Sequence, residues 1–373
     1  MRTLGLIVNP VAGMGGSVGL KGTDGLEVLR EAERLGARPR AQQRTAQALA
    51  ALLPLSDGLA LLTFSGVMGE APATACGLAP QVIGSGSSPH TTAQDTVRAA
   101  RDMAERGVDL LLFAGGDGTA RDICGAVGTA ATVLGIPAGV KIHSAVFASS
   151  PAAAGQVAAS FLMGEITRVR EAEVMDINEA DYRRGVLSAR LYGYLAIPDA
   201  RRRLQGVKAA SAPDERTAQR AIAAALVERM TDERCYIVGP GTTCRSLLEM
   251  LGLEGSLLGV DLVRAGQRVG KDLSEREILA QTVGTECSLI LTPVGGQGFL
   301  LGRGNQQISP EVIRRVGREN IIVVATPDKL SALRGRPLLV DTGDDAADAY
   351  LCGYYRVVTG YREAAVYRVS CGV

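Results

Sequence analysis

The sequence predicts an α/β protein whose first half forms a doubly wound parallel sheet. Strand-like and helix-like segments alternate through this half, and several glycine-rich loops directly follow a strand-like run. The chain has 373 residues, a length that predicts two domains. Ligands of such sheets bind beyond the carboxyl ends of the strands, so these loops are expected to converge on one crevice.

Each predicted element of the first half rests on an apolar run or on a local end signal. Gly36 ends the first helix, because glycine commonly follows a helix C-terminus. Thr92 caps the helix that runs to Arg106. In chain order we predict strand 4–8, helix 25–36, strand 58–64, helix 92–106, strand 110–113, helix 120–127 and strand 131–136.

The second half of the sequence is less regular. A strand-rich run is followed by an exposed loop that contains Arg201, Arg202 and Arg203, and these arginines are interpreted as solvated. The last apolar segment resembles a hairpin that turns near Tyr361. In chain order we predict strands in 186–197, a loop over 199–213, helix 213–230, strand 235–238, a helix to 251, strand 288–291, strand 321–325 and a hairpin over 355–369.

Composition narrows the class of protein. A hydrophobic content of 46% is ample for a core, and the net charge of +1 gives no reason to expect nucleic acid or an anionic membrane as a partner. Tryptophan is absent and aromatics make up 4% of the residues, so base-stacking platforms are not expected. The most apolar helical stretch, 46–62, is broken by Pro54, Asp57 and Gly58 and cannot span a bilayer.

The cysteines and the N-terminus indicate a cytoplasmic protein. No two of the seven cysteines have Cys-x-x-Cys spacing, so a zinc site is not expected and the thiols are interpreted as reduced. The chain opens directly on a strand pattern, with no signal-peptide pattern before it.

Residues 111–119 are the most informative stretch for function. An apolar run leads into Gly115-Gly116-Asp117-Gly118-Thr119, and a helix-like stretch follows. Glycines let backbone N–H groups approach a ligand, and a helix N-terminus favours negative charge, so this turn is a candidate phosphate site. A carboxylate would repel phosphate, which makes sense if Asp117 takes a proton from a hydroxyl or holds a metal ion. The alternative is a tight turn in which Asp117 caps the helix.

Other glycine-rich loops match familiar motifs less well. The run 13–18 lacks the last glycine of the dinucleotide-binding fingerprint, and 16–23 lacks the Gly-Lys-Ser/Thr of a P-loop. The turn 239–243, Gly-Pro-Gly-Thr-Thr, is either an anion site or a plain helix cap. Lys141, one of five lysines, follows a strand end and is interpreted as a phosphate contact, with a plain surface charge as the alternative. His143 is either a hydrogen-bonded core residue or a ligand contact.

Three motifs, in this order along the chain, resemble the superfamily of NAD kinases and diacylglycerol kinases. Asn9-Pro10 with Gly13 and Gly15 resembles its first loop, 115–119 matches its central motif, and Thr292-Pro293-Val294-Gly295 resembles a loop of the second domain of NAD kinases. The runs 136–144 and 295–308 are more similar to the ATP-NAD kinase-like branch that includes the acetoin-catabolism protein X type. This closer similarity covers most of the chain.

The resemblance implies two domains with the active site between them. We therefore expect an α/β domain over 1–165 and a β-rich α+β domain over 166–373. A segment near 199–258 is expected as an α/β insertion, and the C-terminal strands are candidates for a return to the first domain. After the Thr-Pro-x-Gly loop, NAD kinases continue Ser-Thr-Ala-Tyr, whereas this chain has Gly296-Gln297-Gly298-Phe299, which leaves the phosphoryl acceptor open.

The resemblance also implies roles for individual residues. Asp117 is the expected general base on an acceptor hydroxyl. Asn178 and Glu179 are candidate substrate contacts, because they could match the Asn-Glu pair that NAD kinases use on the nucleotide, while metal ligands stay unassigned. Arg303 and Asn305, with Gln306, are candidate substrate contacts from their residue types alone, on phosphate or on a nucleotide edge, and the alternative is a surface loop. Expected nucleotide- or phosphate-binding residues are Asn9, Gly13, Gly15, Gly115, Gly116, Gly118, Thr119, Lys141, Thr292, Gly295, Gly296, Gln297 and Gly298.

The function expected from this resemblance is transfer of the γ-phosphoryl group of ATP to the adenosine ribose 2′-OH of NAD. Mg²⁺ is expected to neutralise charge in the transfer, and polyphosphate stays open as a donor. One alternative is a kinase for a lipid or a small polyol. Another is a nucleotide-binding accessory or regulatory protein without turnover. The expected partners are nucleotides or dinucleotides and further copies of the chain in a homo-oligomer, with no nucleic acid and no membrane.

Overall fold

The computed structural model describes residues 2–20, 26–86, 91–140, 142–177, 189–200, 213–293 and 298–371. The chain divides into two compact units. The first comprises Met1–Met14, Gly22–Val207 and Val373, and the second comprises Gly15–Lys21 and Lys208–Gly372. Gly13 and Gly15, predicted together in one loop, therefore belong to different units.

A five-stranded parallel sheet organises the described part of the first unit. Its strand order is β3-β2-β1-β4-β5, and each neighbouring pair is parallel. The order changes direction between β1 and β4, which is where such sheets bind ligands. The strands are β1 (Arg2–Val8), β2 (Leu59–Phe64), β3 (Pro80–Gly84), β4 (Leu110–Gly115) and β5 (Val133–Pro137).

Helices follow the strands of this sheet and begin at identifiable signals. Thr92 and Asp95 form a reciprocal capping box, and Ser150 accepts a hydrogen bond from Ala153 N ahead of a proline at the first helical turn. A 3-10 helix covers Ala50–Gly58. The α-helices are α1 (Leu26–Arg34), α2 (Ala41–Leu49), α3 (Glu70–Ala75), α4 (Ala93–Glu105), α5 (Asp117–Val127) and α6 (Pro151–Leu162).

The core of the first unit lies around the central strands. Every residue of β4 is buried. The Phe113 ring on this strand packs edge to face against the Phe147 ring, with ring centroids 5.2 Å apart. Because β1 and β4 are covered on both sides, they are continuous apolar runs rather than alternating ones.

An antiparallel hairpin completes the first unit. It consists of β6 (Val169–Ile177) and β7 (Ala189–Pro198). Backbone contacts attach it to the first sheet, because Ala145 N donates to Glu173 O and Thr132 bridges to Ala196. The predicted boundary at 165 falls just after α6, whereas the first compact unit continues through this hairpin.

The second unit contains a nine-stranded mixed sheet among its described residues. The order is β10-β9-β8-β11-β13-β15-β16-β14-β12, and β8, β11, β13 and β15 form a parallel centre. The C-terminal pair, β15 and β16, is antiparallel within this sheet. The strands are β8 (Cys235–Val238), β9 (Asp261–Arg264), β10 (Gln267–Gly270), β11 (Cys287–Leu291), β12 (Phe299–Leu301), β13 (Ile321–Val324), β14 (Leu338–Val340), β15 (Gly353–Gly360) and β16 (Glu363–Ser370).

Helices cover both faces of this second sheet. One cluster packs Leu226 and Leu247 against Val238 and Ile290, so the segment expected as an insertion supplies a central strand and the helices over it. Short 3-10 helices cover Gly66–Met68 in the first unit and Arg318–Asn320 in this one. The α-helices are α7 (Pro213–Val227), α8 (Thr242–Met250), α9 (Glu275–Gln281), α10 (Pro310–Val316), α11 (Pro327–Ala332) and α12 (Asp345–Leu351).

The predicted fold class is confirmed: a parallel α/β unit precedes a β-rich second unit. Within the described residues, no helix combines the length and the apolar character that crossing a membrane would require. The predicted strand 110–113 and the helix after it are confirmed. In the first unit, the short strand β3 was not predicted, nor were α2, α3 and α6, in which alanines and polar residues weaken the apolar period.

Candidate functional site

The loops that follow β1 and β4 are held together at the point where the strand order changes direction. Asn9, directly after β1, donates its backbone N–H to Ala114 O at 3.0 Å. Its side-chain Nδ2 donates to Thr119 Oγ1, also at 3.0 Å. Asn9 therefore fastens the first loop to the first turn of α5.

Gly115 lets the end of β4 lie directly against α5. A Cβ at this position would lie 2.5 Å from both Cβ and Oγ1 of Thr119, closer than side-chain atoms pack. The carbonyl of Gly115 also accepts hydrogen bonds from Ala138 N and Gly139 N, at 3.0 and 2.9 Å. The first glycine of the motif thus has a packing role, which fixes Thr119 and the loop after β5.

Gly13 meets the same loop from the other side. Its φ is +76°, and a Cβ there would collide with the carbonyl oxygen of Ala138. Both the backbone conformation and the space require glycine at this position. The loops after β1, β4 and β5 are therefore in direct contact within the first unit.

Asp117 begins α5 and is buried, with 7% of its surface exposed. Oδ1 accepts from Ser144 N at 3.0 Å and lies 2.7 Å from Ser144 Oγ. Oδ2 accepts from His143 N at 2.8 Å and lies 3.1 Å from His143 Nδ1. The carboxylate therefore holds the loop after β5 by two backbone and two side-chain contacts. From the sequence, Asp117 was a candidate base, metal ligand or helix cap; its contact with the loop that carries His143 and Ser144 was not predicted.

The backbone around Asp117 has the features of a candidate anion site. Gly116 is the N-cap of α5 and has no side chain to satisfy the first N–H groups of the helix. Those N–H groups and the helix dipole favour a phosphate at this end. Gly118 and Thr119 lie in the same first turn. The first unit therefore presents a glycine turn, a helix N-terminus and a buried aspartate at one sheet edge.

A second cluster forms at the carboxyl edge of the parallel strands in the second unit. Thr292 follows β11, and Thr243 lies at the start of α8, which follows β8. Lys329 Nζ, from the helix after β13, donates to Thr243 Oγ1 at 2.9 Å and to Thr292 Oγ1 at 3.3 Å. The structure thus joins the predicted Thr292 to Lys329 and to the turn 239–243. Lys329 was not among the predicted residues, although a lone lysine two residues after the Thr326-Pro327 pair was a usable signal.

Two predicted substrate contacts are engaged inside the second unit. Arg303 is 2% exposed, pairs with Asp341 at 2.9 Å and stacks over the Phe299 ring at 4.6 Å. Asn305 accepts from Gly302 N and donates to Leu300 O, both at 2.9 Å. These contacts give both side chains a structural role, and their contact with substrate stays a prediction.

The remaining predicted residues are placed as follows. Gly15 packs with the second unit, and Gly298, with φ of +76°, precedes β12. Six predicted residues lie outside the described residues: Lys141, Asn178, Glu179, Gly295, Gly296 and Gln297.

The described residues do not fit a metal site made by protein side chains alone. They contain no group of three or more His, Cys, Asp or Glu side chains placed to hold one ion. Both oxygens of Asp117 already accept hydrogen bonds. Magnesium commonly keeps several waters and binds substrate phosphates with few protein ligands, so in this protein it would enter with a nucleotide.

A cavity of about 610 Å³ lies elsewhere in the second unit. Tyr236, Ser288 and Ile322 line it, near the amino ends of β8, β11 and β13. None of the predicted site residues that the structure describes lines this cavity. Thr292 lies instead at the carboxyl end of β11, where parallel sheets place their ligands.

The solved structures that match this chain resemble it only weakly, in sequence and in fold. A diacylglycerol kinase from Bacillus anthracis strain Sterne is 15% identical, with a TM-score of 0.25 over 48% of this chain and 47% of that one. Two further structures given that enzyme name, from the same organism, are 16% identical with TM-scores of 0.26, again over 48% of this chain. The alignments span less than half of each of those chains, 43% and 45%. Such TM-scores carry no argument about activity.

Family profiles give a firmer assignment. Residues 4–166 match the ATP-NAD kinase N-terminal domain, and residues 231–369 match the ATP-NAD kinase C-terminal domain. No curated protein matches the chain. The two matched segments fall in the two units and carry the central motif and the Thr-Pro loop, in the order expected. The chain therefore belongs to the NAD kinase superfamily of kinase-like phosphotransferases.

Proposed function

We propose that this protein transfers the γ-phosphoryl group of ATP to the 2′-OH of the adenosine ribose of NAD. The observation that carries the proposal is a buried aspartate fixed at a glycine turn that begins a helix. Asp117 is 7% exposed, and its two oxygens are held by His143 and Ser144. The family of both domains supplies the reaction class, and the site supplies a phosphate cradle beside a group that can drive proton removal.

The chain's own residues divide the work of the reaction. The N–H groups at the start of α5 bind phosphate oxygens and favour the charge on the transferring group. Asp117 drives removal of the hydroxyl proton, either directly or through a group that it holds. Mg²⁺, when bound with ATP, supplies charge neutralisation at the phosphates. Holding donor and acceptor in line contributes most of the remaining acceleration.

In the same proposal, Thr292 and Lys329 form a binding cluster for the dinucleotide. A lysine ammonium held by two threonine hydroxyls is suited to phosphate or ribose oxygens. The departure at 296–299 bears on which acceptor binds, so a lipid or small polyol stays an alternative acceptor. A cytoplasmic location and a homo-oligomeric state remain predictions.

The test is an acceptor screen with purified protein, Mg²⁺ and either ATP or polyphosphate. We expect NADP to form from NAD, and Asp117→Asn to lower the turnover by about 10²–10⁴-fold. The matched control is Asp95→Asn, which also removes a buried carboxylate near a helix start in the first unit. The control should lower stability and leave turnover unchanged. Absence of transfer to every hydroxyl acceptor, with nucleotide still bound, would instead support an accessory protein without turnover.

A further inference from the structure

His143 is fixed against Asp117 by two separate contacts. Its backbone N–H donates to Asp117 Oδ2 at 2.8 Å, and its ring Nδ1 lies 3.1 Å from the same oxygen. The side chain is 12% exposed, so the ring is nearly enclosed but keeps a small accessible surface. The loop that carries it follows β5, directly beside the glycine turn that follows β4.

Asp117 is poorly placed to accept a proton itself. A carboxylate has about four lone-pair positions. Among the described residues, the backbone N–H groups of His143 and Ser144 donate one hydrogen bond to each of its oxygens, at 2.8 and 3.0 Å. His143 Nδ1 and Ser144 Oγ lie beside the same oxygens at 3.1 and 2.7 Å, and the one hydrogen of Ser144 Oγ also has Met175 O within reach at 2.9 Å. Protonation of either oxygen would displace one of these donors and loosen the loop. The carboxylate is therefore suited to orienting its neighbours.

The contact with Asp117 also determines which ring nitrogen of His143 can act as a base. A carboxylate accepts only, so Nδ1 facing it carries the hydrogen. The neutral ring then has its lone pair on Nε2. A histidine held in this way by a carboxylate is a common proton acceptor for hydroxyl groups.

We propose that His143 Nε2 is the proton acceptor of the phosphoryl transfer and that Asp117 is a positioning residue that acts through it. This inference rests on the proposed function. The acceptor hydroxyl oxygen forms a bond to the γ-phosphorus of the nucleoside triphosphate while the bond to the bridging oxygen breaks. The hydroxyl proton passes to Nε2, the nucleoside diphosphate leaves, and the imidazolium then returns its proton to water.

The test compares His143→Ala and His143→Asn in the full-length protein, with ATP, Mg²⁺ and the best acceptor from the screen. The alanine variant keeps the backbone donors of 143 and 144 to Asp117. The asparagine variant can also offer a side-chain N–H to Asp117 but has no basic nitrogen. We expect both variants to lose about 10²–10⁴-fold in kcat, to bind ATP within about twofold of the parent, and to melt as cooperatively as the parent.

Imidazole in solution separates a chemical role from a structural one. It should restore the turnover of His143→Ala at least tenfold, and it should leave Asp117→Asn and the parent unchanged. The double variant Asp117→Asn/His143→Ala should turn over no more slowly than His143→Ala alone, because either change alone already disables the same pair of residues.

Each other outcome overturns the proposal. If His143→Ala turns over within threefold of the parent while Asp117→Asn does not, Asp117 is the direct base and the proposed function stands. Loss of turnover in His143→Ala without rescue by imidazole assigns His143 a structural role. If the parent transfers phosphate to no hydroxyl acceptor, the proposed function fails, and with it the role of His143.

Discussion

Replacing Gly115 with alanine should destabilise the first unit, because this glycine is where β4 passes α5. The added Cβ would lie 2.5 Å from the Cβ and Oγ1 of Thr119 and 2.7 Å from its Cγ2. Relief of such overpacking typically costs about 1–3 kcal/mol. If Thr119 retreats far enough to lose the hydrogen bond from Asn9, a further contribution of about 1 kcal/mol is lost. We therefore expect a loss of between about 1 and 4 kcal/mol.

A double-mutant cycle identifies the colliding atom. Because the Cβ of Thr119 is itself too close, Thr119→Ala should not relieve the collision, whereas Thr119→Gly should. The double variant Gly115→Ala/Thr119→Gly should lose at least about 1 kcal/mol less free energy of unfolding than the two single variants lose together. Gly125→Ala is the matched control: this glycine lies in the same helix with nothing within 4 Å of the added Cβ. That change should stabilise the protein by about 0.5–1 kcal/mol.

The assay is urea unfolding followed by far-ultraviolet circular dichroism, since the chain has no tryptophan. If Gly115→Ala changes the free energy of unfolding by less than about 0.5 kcal/mol, the usual range for surface changes, the added Cβ does not collide with Thr119. If Thr119→Ala rescues the variant as fully as Thr119→Gly, the collision lies instead at the outer atoms of the threonine.

Further measurements test other parts of the structure. Gly13→Ala should cost more than about 2 kcal/mol, because positive φ and a collision with backbone combine there; equal stability to the parent would contradict the observed loop. Lys329→Met should weaken NAD binding in calorimetry, whereas Lys271→Met, at an exposed ion pair, should not; unchanged affinity removes Lys329 from the binding cluster. Burial raises the pKa of the Cys244 thiol to about 12, so this thiol should resist iodoacetamide at pH 8 in the folded protein, and rapid labelling there would show that α8 opens.

Local sequence signals were sufficient for β1, β2, β4 and β5 of the first unit and for its central turn. The run 110–115 is apolar without alternation, as in a parallel strand covered on both faces, and the glycines after it mark a turn into a helix. These signals depend only on residues close together in the chain. Asp117 could therefore be placed at a helix start directly after a glycine turn from the sequence alone.

The partners of Asp117 could not be predicted in the same way. Asp117 and His143 are 26 residues apart and meet because β4 and β5 pair in parallel, which places the loops after both strands at one edge. The sequence left His143 open between a core residue and a ligand contact, and only that pairing decides that its ring faces a carboxylate. Lys329 and Thr292, 37 residues apart, meet through the same kind of pairing, here between β11 and β13.

The central motif thus has a structural basis that is separate from its chemistry. Gly115 makes room for Thr119, Thr119 receives Asn9, and Asp117 holds the loop that carries His143. These contacts bring three loops of the first unit to one place. We therefore expect the phosphate site at this motif and the choice of acceptor hydroxyl in residues outside it. The run 296–299 is a candidate for that choice, because the sequence departs there from NAD kinases, and the acceptor screen addresses that departure directly.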